Sequence, residues 1–297
     1  MKRYSILAVI ISASLWGVDG ILLTPSLYNL QVPVVVFIES TIVALLLTPF
    51  NIKHFNIVKN FSKKDWLSIF LVALFGGTLG TLAITKALFY VNYVNLSVVI
   101  LIQKLQPVFA LIFAATILKE RPQKEFFFWA ALAVIGAYIM TFGLNLPVIT
   151  TGNKTVYAVL FSLAAAISFG LSTVLSKRAL RNIKYDFATY LRFLFSAIIM
   201  SVIVIFSNSF SGFMQITLAN SIIFILIAFT TGGTAIHLYY YGLRNISASV
   251  ATICELAFPL TAIVLEYFVR RNTLDVIQWV GVFMLLFAII KVSSLNK

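Results

Sequence analysis

Ten long apolar runs, separated by short polar connections, constrain this chain more than any other feature. They cover roughly Ser5–Leu23, Pro33–Pro49, Leu67–Tyr90, Leu96–Leu118, Phe126–Leu144, Thr155–Ser176, Phe187–Phe206, Leu218–Tyr241, Ala248–Val269 and Val276–Val292. Each is close to the roughly 20 residues that a helix needs to cross the hydrocarbon core of a bilayer. The runs are continuously apolar rather than alternating, which argues against barrel strands. With 61% hydrophobic and 10% charged residues and a mean hydropathy of +1.02, the 297-residue chain carries more apolar surface than its own interior could hide. A soluble enzyme or a nucleic-acid-binding domain is therefore excluded. The expected fold is an all-α membrane protein of ten transmembrane helices. The first run lacks a small-residue cleavage site and is followed by nine like it, so it does not read as a cleaved signal peptide.

The net charge of +13 has a topological reading. Basic residues hold loops on the cytoplasmic side of a membrane, whereas acids contribute little to that sorting. With the N-terminus placed in the cytoplasm, sixteen Lys and Arg residues fall on the inner side. Three, Lys154, Arg270 and Arg271, fall outside, and Lys86, Lys104 and Arg192 lie within runs. This bias predicts a multi-pass protein of a bacterial or archaeal cytoplasmic membrane with both termini inside. The single cysteine, Cys254, sits in an apolar run and reads as a small buried hydrophobe.

The sequence also matches itself at a shift of about 152 residues. Trp16-Gly17 falls on Phe169-Gly170, Glu39 on Arg192, Pro107 on Pro259, and Lys119-Glu120 on Arg271-Asn272. The halves are residues 1–148 and 149–297, with five runs each. Five is odd, so the second half enters the bilayer in the opposite direction. Inverted repeats of this kind are typical of secondary transporters, which hold their solute near the midplane between the halves.

The stretch Leu101-Ile102-Gln103-Lys104-Leu105-Gln106-Pro107-Val108-Phe109-Ala110, ending in Leu118-Lys119-Glu120-Arg121, resembles the signature of the EamA domain of the drug/metabolite transporter superfamily. Trp16-Gly17 and Phe169-Gly170-Leu171-Ser172 are similar to the same family. The resemblance covers the whole chain and implies a carrier of small metabolites, often amino acids or related compounds, working without ATP. Two positions depart from the family pattern: Glu39 stands where an Arg is frequent, and Asn272-Thr273 replaces the usual Glu-Arg end of the second copy.

Ionisable groups inside a span usually face a cavity or a partner, because insertion costs roughly 2.5–3.5 kcal/mol each. Depth along the helices predicts an outer tier of Asp19, Glu39, Lys86 and Lys104 and an inner tier of Arg192, His237 and Glu255. Pro107 and Pro259 sit mid-run and should kink the fourth and ninth helices. Gln103 and Glu255 lie one turn earlier on the same face. The expected substrate-binding residues are Gln103, Lys104, Glu255, Glu39, Trp16, Asp19, Arg192 and Tyr240. Glu39, Glu255 and His237 are the candidates for proton coupling. Gly76 and Gly80 read as a close helix contact.

No metal-binding or catalytic motif is present: HExxH, paired CxxC and GxxxxGK[ST] are all missing. The reading is therefore a secondary active carrier rather than an enzyme, with no cofactor and no metal. Its expected partners are a small-molecule metabolite and the lipid bilayer, without nucleic acid, and its expected working unit is a monomer. The expected solute is an amino acid or derivative, whose two charge signs would suit a cavity of mixed charge. The alternative is a cationic adenosyl-type or other nucleotide-like metabolite. An intramembrane enzyme or a channel is more remote, since rings of like charge are missing.

Overall fold

A computed structural model describes residues 2–90, 99, 102–146, 153–270 and 274–295. The connection Val91–Asn95, residues 96–98, Leu101, Arg271, Asn272 and Thr273 lie outside the described residues. In chain order the helices are α1 (Arg3–Leu27), α2 (Val32–Asn56), α3 (Lys63–Phe89), α4 (Gln106–Leu118), α5 (Lys124–Phe142), α6 (Val156–Ala179), α7 (Tyr185–Phe206), α8 (Leu218–Asn245), α9 (Ala248–Val269) and α10 (Val276–Leu295). Among the described residues, all but the shorter α4 are long and apolar enough to cross a membrane, and no strand occurs. The chain is an all-α, multi-pass membrane protein.

Local chemistry sets the helix ends. Ser62 caps α3 by accepting from Asp65 N at 3.2 Å, and Asp65 Oδ2 accepts from Ser62 N at 3.0 Å. Thr217 and Asn220 make the same reciprocal pair at the start of α8, at 3.2 and 3.0 Å. Such a box satisfies two backbone donors that the first turn leaves over. At the end of α5, Gly143 takes a φ of 62°, which its missing Cβ makes cheap.

Several helices are irregular inside the bilayer. Asp19–Leu23, Ala73–Leu79, Ala114–Leu118 and Ala228–Gly232 widen into π-helical turns, a form that recurs at functional sites. α9 is broken at Glu255 and Leu256, between Ala248–Cys254 and Ala257–Arg270. The chain turns likewise at Lys104 and Leu105, just before α4. Each break lies a few residues ahead of Pro259 or Pro107, where the missing N–H weakens the helical ladder.

The helices pair as α5 with α10, α2 with α7, α4 with α9, α1 with α8 and α9, and α6 with α3 and α4. Small residues bring some of these backbones together. A Cβ on Gly17 would lie 2.8 Å from Phe258 O of α9, and one on Gly170 would lie 2.9 Å from Ala110 N of α4. A Cβ on Gly136 of α5 would lie 2.8 Å from Leu285 N of α10. Side chains such as Phe128, Phe206, Phe229 and Phe283 remain exposed on the outside, where lipid is their natural solvent.

Candidate functional site

A cavity of about 290 Å³ lies among α1–α4 and α6–α9, while α5 and α10 contribute nothing to its wall. Its lining includes the rings of Trp16, Phe169, Phe193, Phe258 and Tyr239, the amides of Gln103 and Gln106, and the hydroxyls of Thr81, Thr85 and Ser172. The breaks before α4 and within α9, and three of the π-helical turns, open onto it. Irregular backbone at this depth is tolerated where it lines a cavity rather than lipid.

The structure brings Trp16, Asp19, Glu39, Gln103, Lys104, Arg192 and Glu255 to this cavity, together with Pro107 and Pro259. Glu255 sits at the break of α9. Its Oε1 accepts from the Tyr239 hydroxyl at 2.6 Å and from Thr173 Oγ1 at 3.5 Å, and its Oε2 accepts from Gln106 Nε2 at 2.6 Å. One carboxylate thus links α4, α6, α8 and α9. Tyr239 also packs on Trp16, with ring centroids 5.3 Å apart.

Arg192 is 8% exposed and lies within electrostatic reach of Glu255. Its Nη1 donates to the Tyr240 hydroxyl at 3.3 Å, and its Nε has no hydrogen-bond partner among the described residues. Lys104 is 7% exposed and turns its ammonium toward α5, donating to Ala137 O at 2.9 Å and to Thr141 Oγ1.

Three residues singled out from the sequence stand elsewhere. Tyr240 is fully buried behind Arg192 and accepts from Ser176 Oγ at 3.0 Å. His237 packs on Tyr185 and lies 3.5 Å from Asp186, with its side chain 41% exposed and outside the cavity wall. The Lys86 ammonium sits 5.5 Å from the centre of the Phe161 ring, also off the wall. In the other direction, sequence reasoning passed over Gln106, Tyr239, Thr173, Thr24 and Thr231. Gln106 was detectable as the neighbour of Pro107. The hydroxyls carried no signal, because isolated Thr and Tyr residues occur throughout apolar helices.

Beyond the end of α4, Glu120 reaches across to the start of α9. Its carboxylate accepts from Ala248 N at 2.9 Å, Ser249 N at 3.0 Å and Ser249 Oγ at 2.5 Å. Lys177 at the end of α6 donates to Leu243 O and Arg244 O, both at 2.9 Å, at the end of α8. A carboxylate on first-turn amides and an ammonium on last-turn carbonyls each complement a helix dipole. Glu120 of the signature stretch therefore acts as a clasp between α4 and α9.

A partly polar cavity among helices whose outer faces suit lipid is the architecture of a membrane transporter. The EamA-like transporter family matches residues 3–142 and 156–294, and the chain belongs to that family. It is 46% identical over 291 residues to the riboflavin transporter ImpX of Fusobacterium nucleatum subsp. nucleatum, covering 98% of this chain and 97% of that protein. An uncharacterized transporter of Clostridium kluyveri is 25% identical over 270 residues, covering 90% of this chain and 84% of that protein. A solved structure titled only "Crystal structure of protein" shares the fold, with a TM-score of 0.75 at 14% identity, over 99% of this chain and 97% of that one.

Proposed function

We propose that this transporter moves riboflavin, or a vitamin of similar ring chemistry, across the cytoplasmic membrane. The observation that carries this reading is the likeness to a riboflavin transporter over nearly the full length of both chains. The cavity chemistry supports it. Trp16, Tyr239, Phe169 and Phe258 offer faces and edges for a flat heteroaromatic ring, for which stacked or edge contacts are worth about 0.5–1.5 kcal/mol each beyond area burial. Gln103, Gln106, Thr81, Thr85 and Ser172 offer donors and acceptors for an imide edge and a hydroxylated tail. A volume of about 290 Å³ is near the lower end of the roughly 300–1,000 Å³ usual for ligand pockets.

Two of the groups expected to hold an amino-acid solute are already engaged. Here the Glu255 oxygens are taken by Tyr239, Gln106 and Thr173, and the Lys104 ammonium is turned to Ala137 and Thr141. A nucleotide-like solute shares the flat ring and is an outcome of the test.

For the mechanism we infer alternating access between two inverted five-helix halves, residues 1–148 and 149–297. Three features support it. The pairing of helices maps onto itself when each helix is exchanged with the one five places on. The capping boxes of α3 and α8 are equivalent in that exchange, as are the π-helical turns Ala73–Leu79 and Ala228–Gly232. Gly17 meets α9 beside Pro259 as Gly170 meets α4 beside Pro107. With the N-terminus inside, the Glu120 clasp falls at the cytoplasmic end.

Uptake by purified protein in liposomes decides the solute. Labelled riboflavin should enter and be competed by unlabelled riboflavin, while leucine, lysine, glutamate and adenosine nucleotides should not compete. Uptake of amino acids or nucleotides without riboflavin would overturn the assignment.

A further inference from the structure

Asp19 and Glu39 stand within electrostatic reach of one another on the cavity wall, brought there by α1 and α2. Among the described residues neither makes an ion pair. The two basic groups on the cavity wall make no described bond to either one: Lys104 donates to Ala137 O and Thr141 Oγ1, and Arg192 donates to the Tyr240 hydroxyl. Two carboxylates removed from water cannot both remain ionised without a compensating positive charge.

A second, independent feature marks the same place. Thr231 of α8 is 3% exposed, lines the cavity and turns its hydroxyl toward Asp19, yet no hydrogen bond of ordinary length joins Oγ1 to Asp19 or to any other described residue. The Oδ1 atom of Asp19 is equally unpartnered. Buried polar atoms are nearly always satisfied, and each one left alone costs about 1–3 kcal/mol. The Thr24 hydroxyl faces Asp19 from α1. Asp19 begins one π-helical turn and Thr231 lies in another, so both stand where the backbone departs from the regular helix.

We propose that Asp19, Glu39, Thr24 and Thr231 bind one monovalent cation, sodium or a proton. The donors are all oxygen, the set that hard cations take. No group of three or more acidic, histidine or cysteine side chains suited to a metal ion occurs among the described residues, so a more highly charged ion lacks its usual ligands. The charged and titratable groups on this cavity wall are Asp19, Glu39, Lys104, Arg192, Tyr239 and Glu255; Thr24 and Thr231 are the neutral members of the proposed site. Glu255 is the internal contrast, since Tyr239, Gln106 and Thr173 already satisfy it. A cation at Asp19 and Glu39 ties the solute's passage to that ion's gradient, whichever solute the cavity holds.

The test uses the purified full chain in detergent without solute. In one arm sodium chloride replaces choline chloride at constant ionic strength, and the melting temperature is read. A ligand that binds only the folded state raises it. In the other arm, wild-type protein is treated with dicyclohexylcarbodiimide, and modified carboxyls are mapped by peptide mass across pH and sodium concentration. For sodium, the melting temperature rises by several degrees. The rise falls by at least half in Thr231→Val and disappears in Asp19→Asn, and sodium protects Asp19 or Glu39 from the carbodiimide. For a proton, the sodium arm is flat, and modification of Asp19 or Glu39 declines as pH rises. The proposal is overturned if sodium has no effect and neither carboxyl reacts, or if the reaction ignores both sodium and pH. It is equally overturned if sodium stabilises Asp19→Asn as much as wild type. Should Asp19→Asn fail to fold, the labelling of wild type decides alone. A positive cation result alongside failed riboflavin uptake would remove the solute assignment and leave this site standing.

Discussion

Replacing Glu120 by Ala should loosen the join between α4 and α9. The carboxylate accepts three hydrogen bonds from Ala248 N, Ser249 N and Ser249 Oγ, and it stands at a helix N-terminus. A hydrogen bond to a charged group contributes about 1.5–3 kcal/mol and the dipole about 0.3–1 kcal/mol. Glu120 is only half-buried, so water recovers part of the loss. The net cost is then about 2–3 kcal/mol, less than the sum of the separate bonds. For a chain of this size that corresponds to a melting temperature lower by roughly 3–5 °C. Glu120→Gln keeps one acceptor oxygen and loses the charge, so its shift should be about half as large. Tryptophan-fluorescence melting at a fixed scan rate reads both. A Glu120→Ala protein that melts within about 1 °C of wild type would show that these bonds, as described, contribute nothing to joining the helices.

Lys177→Met should cost less, about 1 kcal/mol or a melting temperature lower by about 1–2 °C, because it removes donors to Leu243 O and Arg244 O at a part-exposed helix end. Gly281→Ala places a Cβ inside the backbone of α5 near Met140, so a loss of about 1–3 kcal/mol and a poorly dispersed protein are expected by size-exclusion chromatography. Trp16→Ala should weaken riboflavin binding about tenfold, the equivalent of about 1.4 kcal/mol, while Trp16→Phe retains most of it; fluorescence titration with riboflavin distinguishes them. His237→Gln should leave uptake and its pH profile unchanged, because its half-exposed pairing with Asp186 stands off the cavity wall and such pairs contribute about 0–1 kcal/mol.

The helices were legible in the apolar runs because hydrophobic length alone sets a span. The breaks were legible too: Pro107 and Pro259 cannot sit in an unbroken ladder, and the chain turns just ahead of both. What the sequence withheld was rotation. These helices are apolar on nearly every side, so nothing in their pattern says which face looks inward. Gln103 and Glu255 could be placed on the cavity wall from the sequence because the kink supplied a direction. His237 and Lys86 were placed by depth alone, and Tyr240 had no signal for its facing; all three stand off the cavity wall. The same lack of facing information hid Thr231 and Tyr239. A lone hydroxyl in an apolar run acquires meaning only once a neighbour such as Asp19 or Glu255 is seen beside it.

The contact of Gly136 with Gly281 has a mechanical meaning. At that crossing α5 and α10 approach backbone to backbone, with only the Cβ of Met284 beside the contact. Sliding one helix by a single residue, about 1.5 Å, would drive a peptide group into its neighbour. The seam can roll but it cannot shear. Relative motion of α5 and α10 is therefore confined to turning about this line, as a book turns on its spine.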